Sequence, residues 1–171
     1  MEYEVNEYTI LKVTNINGQI EINNWNESTV TFNAIKRSRF GRDELSKGEI
    51  NVTKFNNEID IETKYHDSGS IRLTVDMNIK VNDKIEIDTI STSNGAIHIS
   101  GARGNITAHS SNGAIIIEDV DGYIKTSTSN GRISVKGTKG VKDLETSNGD
   151  IYAEIFDFKE DINIVTSNGR I

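Results

Sequence analysis

Cysteine is absent from this chain, and so is proline. Without cysteine there is no disulfide framework, no thiolate metal site and no cysteine nucleophile. That absence leaves the compartment open, since extracytoplasmic chains also lack the residue. The lack of proline suits a body made almost wholly of paired strands, where each backbone N–H is needed for a ladder. A signal peptide and a membrane span are missing from the N-terminus, whose MEYEVNEYTI is acidic and alternating. The expectation is a cytoplasmic protein, or an extracytoplasmic one whose membrane segment lies outside this sequence, with no direct membrane insertion by this chain. An excess of positive charge is lacking too. With 26 acidic and 19 basic residues the net charge is −7, which disfavours nonspecific binding to nucleic acid or anionic lipid.

What is present is a repeat. Ser-Asn-Gly occurs five times, beginning at Ser93, Ser111, Ser129, Ser147 and Ser167. The first four copies are 18 residues apart and the last is 20 further on. A finer beat of 9 runs through Gly95, Gly104, Gly113, Gly122, Gly131, Gly140 and Gly149. Nine residues cannot hold a helix and its turn, so helical repeats are excluded. A glycine turn and an apolar strand in each unit are the signature of a solenoid.

Two residues after each beat glycine stands Ile97, Ile106, Ile115, Ile124, Ile133 or Ile151. The next inward position holds Ile99, Ala108, Ile117, Thr126, Val135, Leu144 or Ala153. This period-two alternation predicts strands with one buried face. The expected fold is all-β: a single-stranded β-helix of about 18 residues per coil, each coil with two short strands. Ile97, Ile115, Ile133 and Ile151 then form one inward column. Lys142, at an inward position beside Val141, predicts a local bulge or a register adjustment. The Asn-Gly of each unit is expected to turn the corner through positive φ. Stacking coils also stacks Asn94, Asn112, Asn130, Asn148 and Asn168, whose amides can bond along the axis. Loss of an interior member is expected to leave partners unpaired, at roughly 1–3 kcal/mol. The fourth coil is longer by two residues, which belong in the turn before Ile162.

Residues 1–88 are strand-rich but lack the 18-residue period. Residues 8–13, 30–35, 49–55 and 58–65 alternate and are β-branched, and Ile71, Leu73, Val75, Met77, Ile79 and Val81 make the longest alternating run. Asn17-Gly18-Gln19-Ile20-Glu21-Ile22 matches the repeat unit. No linker divides the chain, so residues 1–171 are read as one β domain, irregular over 1–88 and regular over 89–171. Residues 37–47 read as a charged loop with one helical turn at 43–46. Lys36, Arg37, Arg39 and Arg42, with Phe40 among them, are the candidate partner-contact residues on that loop.

Catalysis by a polysaccharide-processing solenoid needs converging carboxylates or a metal with a base. Glu118, Asp119 and Asp121 are the densest acidic group in the repeats, but Gly101 and Arg103, or Gly137 and Lys139, occupy the same turn elsewhere. His98 falls at an outward strand position and His109 at a corner, without ligand spacing. No catalytic residue, metal site or cofactor is expected. The row Thr92, Ser110, Thr128, Thr146 and Thr166 is considered, and disfavoured, as a flat ice-binding face.

The NGxIxI unit near the start, the NNW at 23–25, the long alternating strand ending in Val81 and the repeated TSNGxIxI occur together in this order. This combination resembles the adhesin family of unknown function also called the toastrack domain, over about Tyr8 to Ile171. The resemblance implies a single-stranded β-helix, often extracytoplasmic and attached to membrane segments, in some members linked to envelope-stress sensing. It implies no catalytic residues, none being established for the family. The expected function is a non-enzymatic structural or interaction module, with Tyr123, Tyr152, Ile116, Arg132 and Lys125 projecting from its outward faces. A carbohydrate-active solenoid enzyme and a self-stacking scaffold are the alternatives. The open C-terminal coil is expected to be covered by the first 88 residues or by another copy of the chain.

Overall fold

A computed structural model describes residues 2–4, 8–66, 72–156 and 161–171. Its elements begin with β1 (Glu2–Glu4), β2 (Thr9–Asn17), β3 (Ile20–Asn24) and β4 (Thr29–Arg37). A single helical turn, α1 (Arg42–Leu45), precedes β5 (Gly48–Phe55), β6 (Glu58–Tyr65), β7 (Thr74–Val81) and β8 (Ile85–Asn94). Short strands follow: β9 (Ile97–Ser100), β10 (Ile106–Asn112), β11 (Ile115–Glu118) and β12 (Tyr123–Asn130). The last are β13 (Ile133–Lys136), β14 (Gly140–Asn148), β15 (Ile151–Ala153) and β16 (Asn163–Asn168).

These strands form two eight-stranded sheets, ordered β1-β4-β7-β3-β9-β11-β13-β15 and β16-β14-β12-β10-β8-β2-β6-β5. From β8 onward the chain alternates between them, and each strand pairs in parallel with the one an 18-residue unit later. A rung is thus one strand in each sheet, and the period-two pattern turns the same positions inward in every rung. Ile20, Ile97, Ile115, Ile133 and Ile151 stack in register, as do Ile90, Ala108, Thr126, Leu144 and Ile164. Apart from Ile164, which is half-buried, all are buried between the sheets. Each fully buried isoleucine contributes about 1.5–3 kcal/mol.

The rungs are not stacked in chain order. The β2–β3 rung lies directly against β8–β9, and the β6–β7 rung lies outside β2–β3. The chain lays down the second rung first and then crosses outward to build the end. There β4 pairs antiparallel with β7, β5 antiparallel with β6, and β1 with β4. The first half therefore closes the end opposite the one expected. At the C-terminal end β15 and β16 are the outermost strands, and no described strand pairs beyond them. The reason is chain connectivity: β4 and β5 both precede the outer rung, and β5 joins β6 through Asn56 and Asn57 alone, so it folds back as a hairpin on that rung's free edge.

Other expectations change in detail. The Ser-Asn-Gly glycines do not take positive φ, which among the described glycines occurs at Gly18, Gly41, Gly101, Gly104 and Gly137. Glycine is required for closeness instead: a Cβ on Gly113 or Gly131 would strike the carbonyl of Gly95 or Gly113 in the preceding rung. His109 sits within β10, facing outward to Ser127 Oγ at 2.9 Å, and not at a corner. The Thr92–Thr166 row cannot be an ice-binding face, because Thr92, Ser110, Thr128 and Thr146 are buried. Their hydroxyls, with that of Thr166, donate at 2.9–3.3 Å to the carbonyls of Gly18, Gly95, Gly113, Gly131 and Gly149. Lys142 is the extra residue of a bulge, since Ile124 pairs with Val141 and Lys125 with Asp143. Ile71 and most of the longer turn before Ile162 lie outside the described residues, while β16 regains register with Leu144 opposite Ile164.

Candidate functional site

The stacked asparagines form a continuous chain of side-chain bonds. Each Nδ2 donates to the Oδ1 of the rung before it: Asn168 to Asn148 at 2.9 Å, Asn148 to Asn130 at 2.9 Å, Asn130 to Asn112 at 2.8 Å and Asn112 to Asn94 at 2.9 Å. Asn94 donates in turn to Asn17 at 2.7 Å, so the row has a sixth member. The Asn17-Gly18 match to the repeat unit was the signal for it. Asn17 is half-buried and the other five side chains are exposed, so the row runs along one corner of the two sheets.

At its capped end the row runs into a cleft. Asn17 Nδ2 reaches the Tyr65 hydroxyl at 3.5 Å, and that hydroxyl donates to the Leu73 carbonyl at 3.0 Å. Burial pushes the Tyr65 phenol above its ordinary pKa, against a smaller opposing effect of Asn17. The cleft is about 760 Å³ and is lined by Arg37, Arg39, Phe40, Arg72, Asn17 and Asn94 among others. Antiparallel pairing of β4 with β7 sets Arg37 opposite Thr74 and brings two distant stretches to one wall.

Of the four expected contact cations, Arg37 and Arg39 line this cleft, and Lys36 and Arg42 do not. Lys36 is used structurally, donating to the carbonyls of Gly48 at 2.7 Å and Leu45 at 3.3 Å. Arg42 opens α1 and is exposed. Arg37 pairs with Asp76, whose other oxygen accepts from the Gln19 N–H at 3.1 Å. Arg39 has no hydrogen bond or ion pair to a described residue. Arg72, which no local pattern flagged, lays its guanidinium over the exposed Phe40 ring, 4.3 Å from the centroid. Glu44 positions it: the carboxylate accepts from the Arg72 backbone N–H at 2.7 Å and from Lys47 Nζ at 3.0 Å. These donors, the Arg72 N–H first, hold the Glu44 carboxyl below the usual range. The result is a recess with two guanidinium groups not committed to the carboxylate of any described residue and an apolar ring beside them.

The acidic group of the repeats is arranged differently. Glu118 pairs with Lys136 at 3.0 Å and lies 3.6 Å from His98 Nε2. Lys136 first, and His98 after it, lower its pKa, while Glu118 raises that of Lys136. Asp119 takes φ 53° at the turn, and Asp121 is joined to Arg103 through the backbone, as an isolated parallel β-bridge. Among the described residues, no group of three His, Cys, Asp or Glu side chains is placed to hold a metal. The outward residues do not converge: Tyr123 and Lys125 stand on one sheet, Ile116 and Tyr152 on the other, Arg132 in a turn. No helix among the described residues is long and apolar enough to cross a membrane.

No protein-family profile matches the chain, and no curated protein matches it. Among solved structures it is similar to the crystal structure of a putative cell adhesion protein from Clostridium sporogenes. That likeness has a TM-score of 0.56 at 14% identity, over 99% of this chain and 96% of the other. At this identity the likeness shows the fold alone.

Proposed function

We propose that this chain is a single-domain β-solenoid of the adhesin-like, toastrack type, and that it works as a non-enzymatic interaction module. Its contact is the arginine cleft, and its ligand is an anionic protein or cell-surface group. The observation that carries this reading is the meeting of Arg39, Phe40 and Arg72 in one cleft beside the β4–β7 pairing, with the Arg72 guanidinium over the Phe40 ring. Guanidinium groups favour carboxylate, sulfate and phosphate through bidentate bonds. Two rigid sheets behind them reduce the ordering cost of binding. The fold shared with a putative cell adhesion protein, and the NGxIxI order, support the adhesin-like assignment. The enzyme alternative loses support from Glu118, whose carboxylate is engaged by Lys136.

The test is a binding screen of acidic and neutral glycans and peptides against the native chain, Arg39→Glu and Lys125→Glu. The native chain and Lys125→Glu should retain the acidic ligands, and Arg39→Glu should lose them. Equal loss in both variants, or preference for neutral ligands, would place the contact elsewhere. New reducing ends released from an acidic polysaccharide would favour the enzyme.

A further inference from the structure

Six Asn-Gly pairs occur in the chain, at Asn17, Asn94, Asn112, Asn130, Asn148 and Asn168. Asn-Gly is the peptide most open to attack on its own side chain, because glycine puts no Cβ in the way. In that reaction the glycine amide nitrogen, having lost its proton, bonds to the asparagine Cγ. Ammonia leaves and a succinimide ring remains. Water then adds to one of its carbonyls and opens the ring to aspartate or isoaspartate. Two groups must be free for this: the glycine N–H, and a carboxamide able to swing towards it.

The fold withholds both at five of the six pairs. The N–H groups of Gly18, Gly95, Gly113, Gly131 and Gly149 each donate to the asparagine carbonyl of the next rung, at 2.8–3.1 Å. Between Asn94 and Asn148 every carboxamide is also held on both sides, donating through Nδ2 and accepting through Oδ1. Asn17 accepts from Asn94 and donates to Tyr65. Asn168 is different. Its Nδ2 is bonded to Asn148, but among the described residues nothing donates to its Oδ1 and the Gly169 N–H has no acceptor.

We propose that Asn168 is the site of spontaneous deamidation in the folded chain, and that the stacked row shields the other five Asn-Gly pairs from the same reaction. The product changes the outer edge of β16. A carboxylate at 168 no longer donates to Asn148 Oδ1, and isoaspartate adds a backbone atom that breaks the Asn148–Asn168 register of β14 with β16. A further rung or a second copy stacked on β16 would restore both missing partners and protect the site.

The experiment holds the dilute native chain in mildly alkaline buffer, with a parallel sample in urea. Aspartate and isoaspartate are then measured at each Asn-Gly by digestion and mass spectrometry. In the folded chain Asn168 should convert at least about tenfold faster than Asn112 or Asn130, because the held sites must wait for local opening. In urea all six should convert at similar rates. Interior asparagines that keep pace in the folded chain would overturn the proposal, as would an Asn168 as slow as Asn112. An Asn168 equally singled out in urea would also overturn it, by showing that local sequence and not the fold selects the site.

Discussion

At the scale of single residues, each Ser-Asn-Gly and the residue before it divide three separate jobs. The residue before the serine puts a hydroxyl inside, on a glycine carbonyl; the asparagine bonds along the outside; the glycine allows the next rung to sit close. These jobs differ in cost. Gly131→Ala would drive a Cβ into the Gly113 carbonyl, and backbone cannot yield as a side chain can. It should destabilise by about 3 kcal/mol or more, beyond ordinary overpacking. Asn130→Ala removes two bonds, but they are exposed and water can take over the freed partners. About 0.5–1.5 kcal/mol per bond is the upper scale there, in place of the penalty for a buried orphan. Asn168→Ala removes one bond and should cost about half as much. Urea midpoints of the three variants check this order.

Among the elements, the α1 turn and the edge strand β16 are the informative ones. Glu44 ties α1 to the residues leading into β7, and its folded pKa is lowered. A carboxyl with a depressed folded pKa stabilises fully above its unfolded value and loses that contribution as pH falls through the folded one. Acidification below the ordinary glutamate range should therefore loosen this junction, and Glu44→Gln should flatten that part of the stability–pH profile. The variant should also weaken acidic-ligand binding at neutral pH, since it frees the Arg72 backbone. A profile unchanged by Glu44→Gln would remove Glu44 from this role. At the other end β16 pairs with β14 and with no other described strand, and its inward residues are half-buried. Its amides should exchange with solvent faster than those of β10, which has a neighbour on each side, as hydrogen exchange can show.

For the whole molecule, the shared isoleucine columns make each rung depend on its neighbours. Ile115→Ala, in the middle of a column, should cost about 2–5 kcal/mol. Lys125→Ala should cost under about 0.5 kcal/mol, since Lys125 is exposed and its pair with the half-buried Asp143 is long, at 3.3 Å. Thermal melts give both numbers, and equal small effects would contradict the stacked core. No ligand cluster contributes to this packing among the described residues. The melting temperature should therefore be unchanged by EDTA or by added Ca²⁺ or Zn²⁺, because only a ligand that binds the native state shifts it.

From residue 89 onward, the sequence alone determines strand phase, inward columns and the asparagine row, because each depends on short-range periodicity repeated in step. The Lys142 bulge is legible for the same reason: one residue out of phase turns a lysine inward unless the strand adjusts. Residues 1–88 carry no such period, and only the tertiary structure decides their place. Their outer rung is built after the inner one, and β4 and β5 close the end that the chain reaches first. Only the tertiary structure decides the cleft as well. Arg39 and Phe40 are visible as part of a basic loop, but Arg72 meets them through antiparallel pairing, and Glu44 holds it through a backbone N–H that has no sequence signature. Periodicity records which face of a strand is buried; it does not record which distant strand becomes its neighbour, since that is settled by the edge left free when the chain returns.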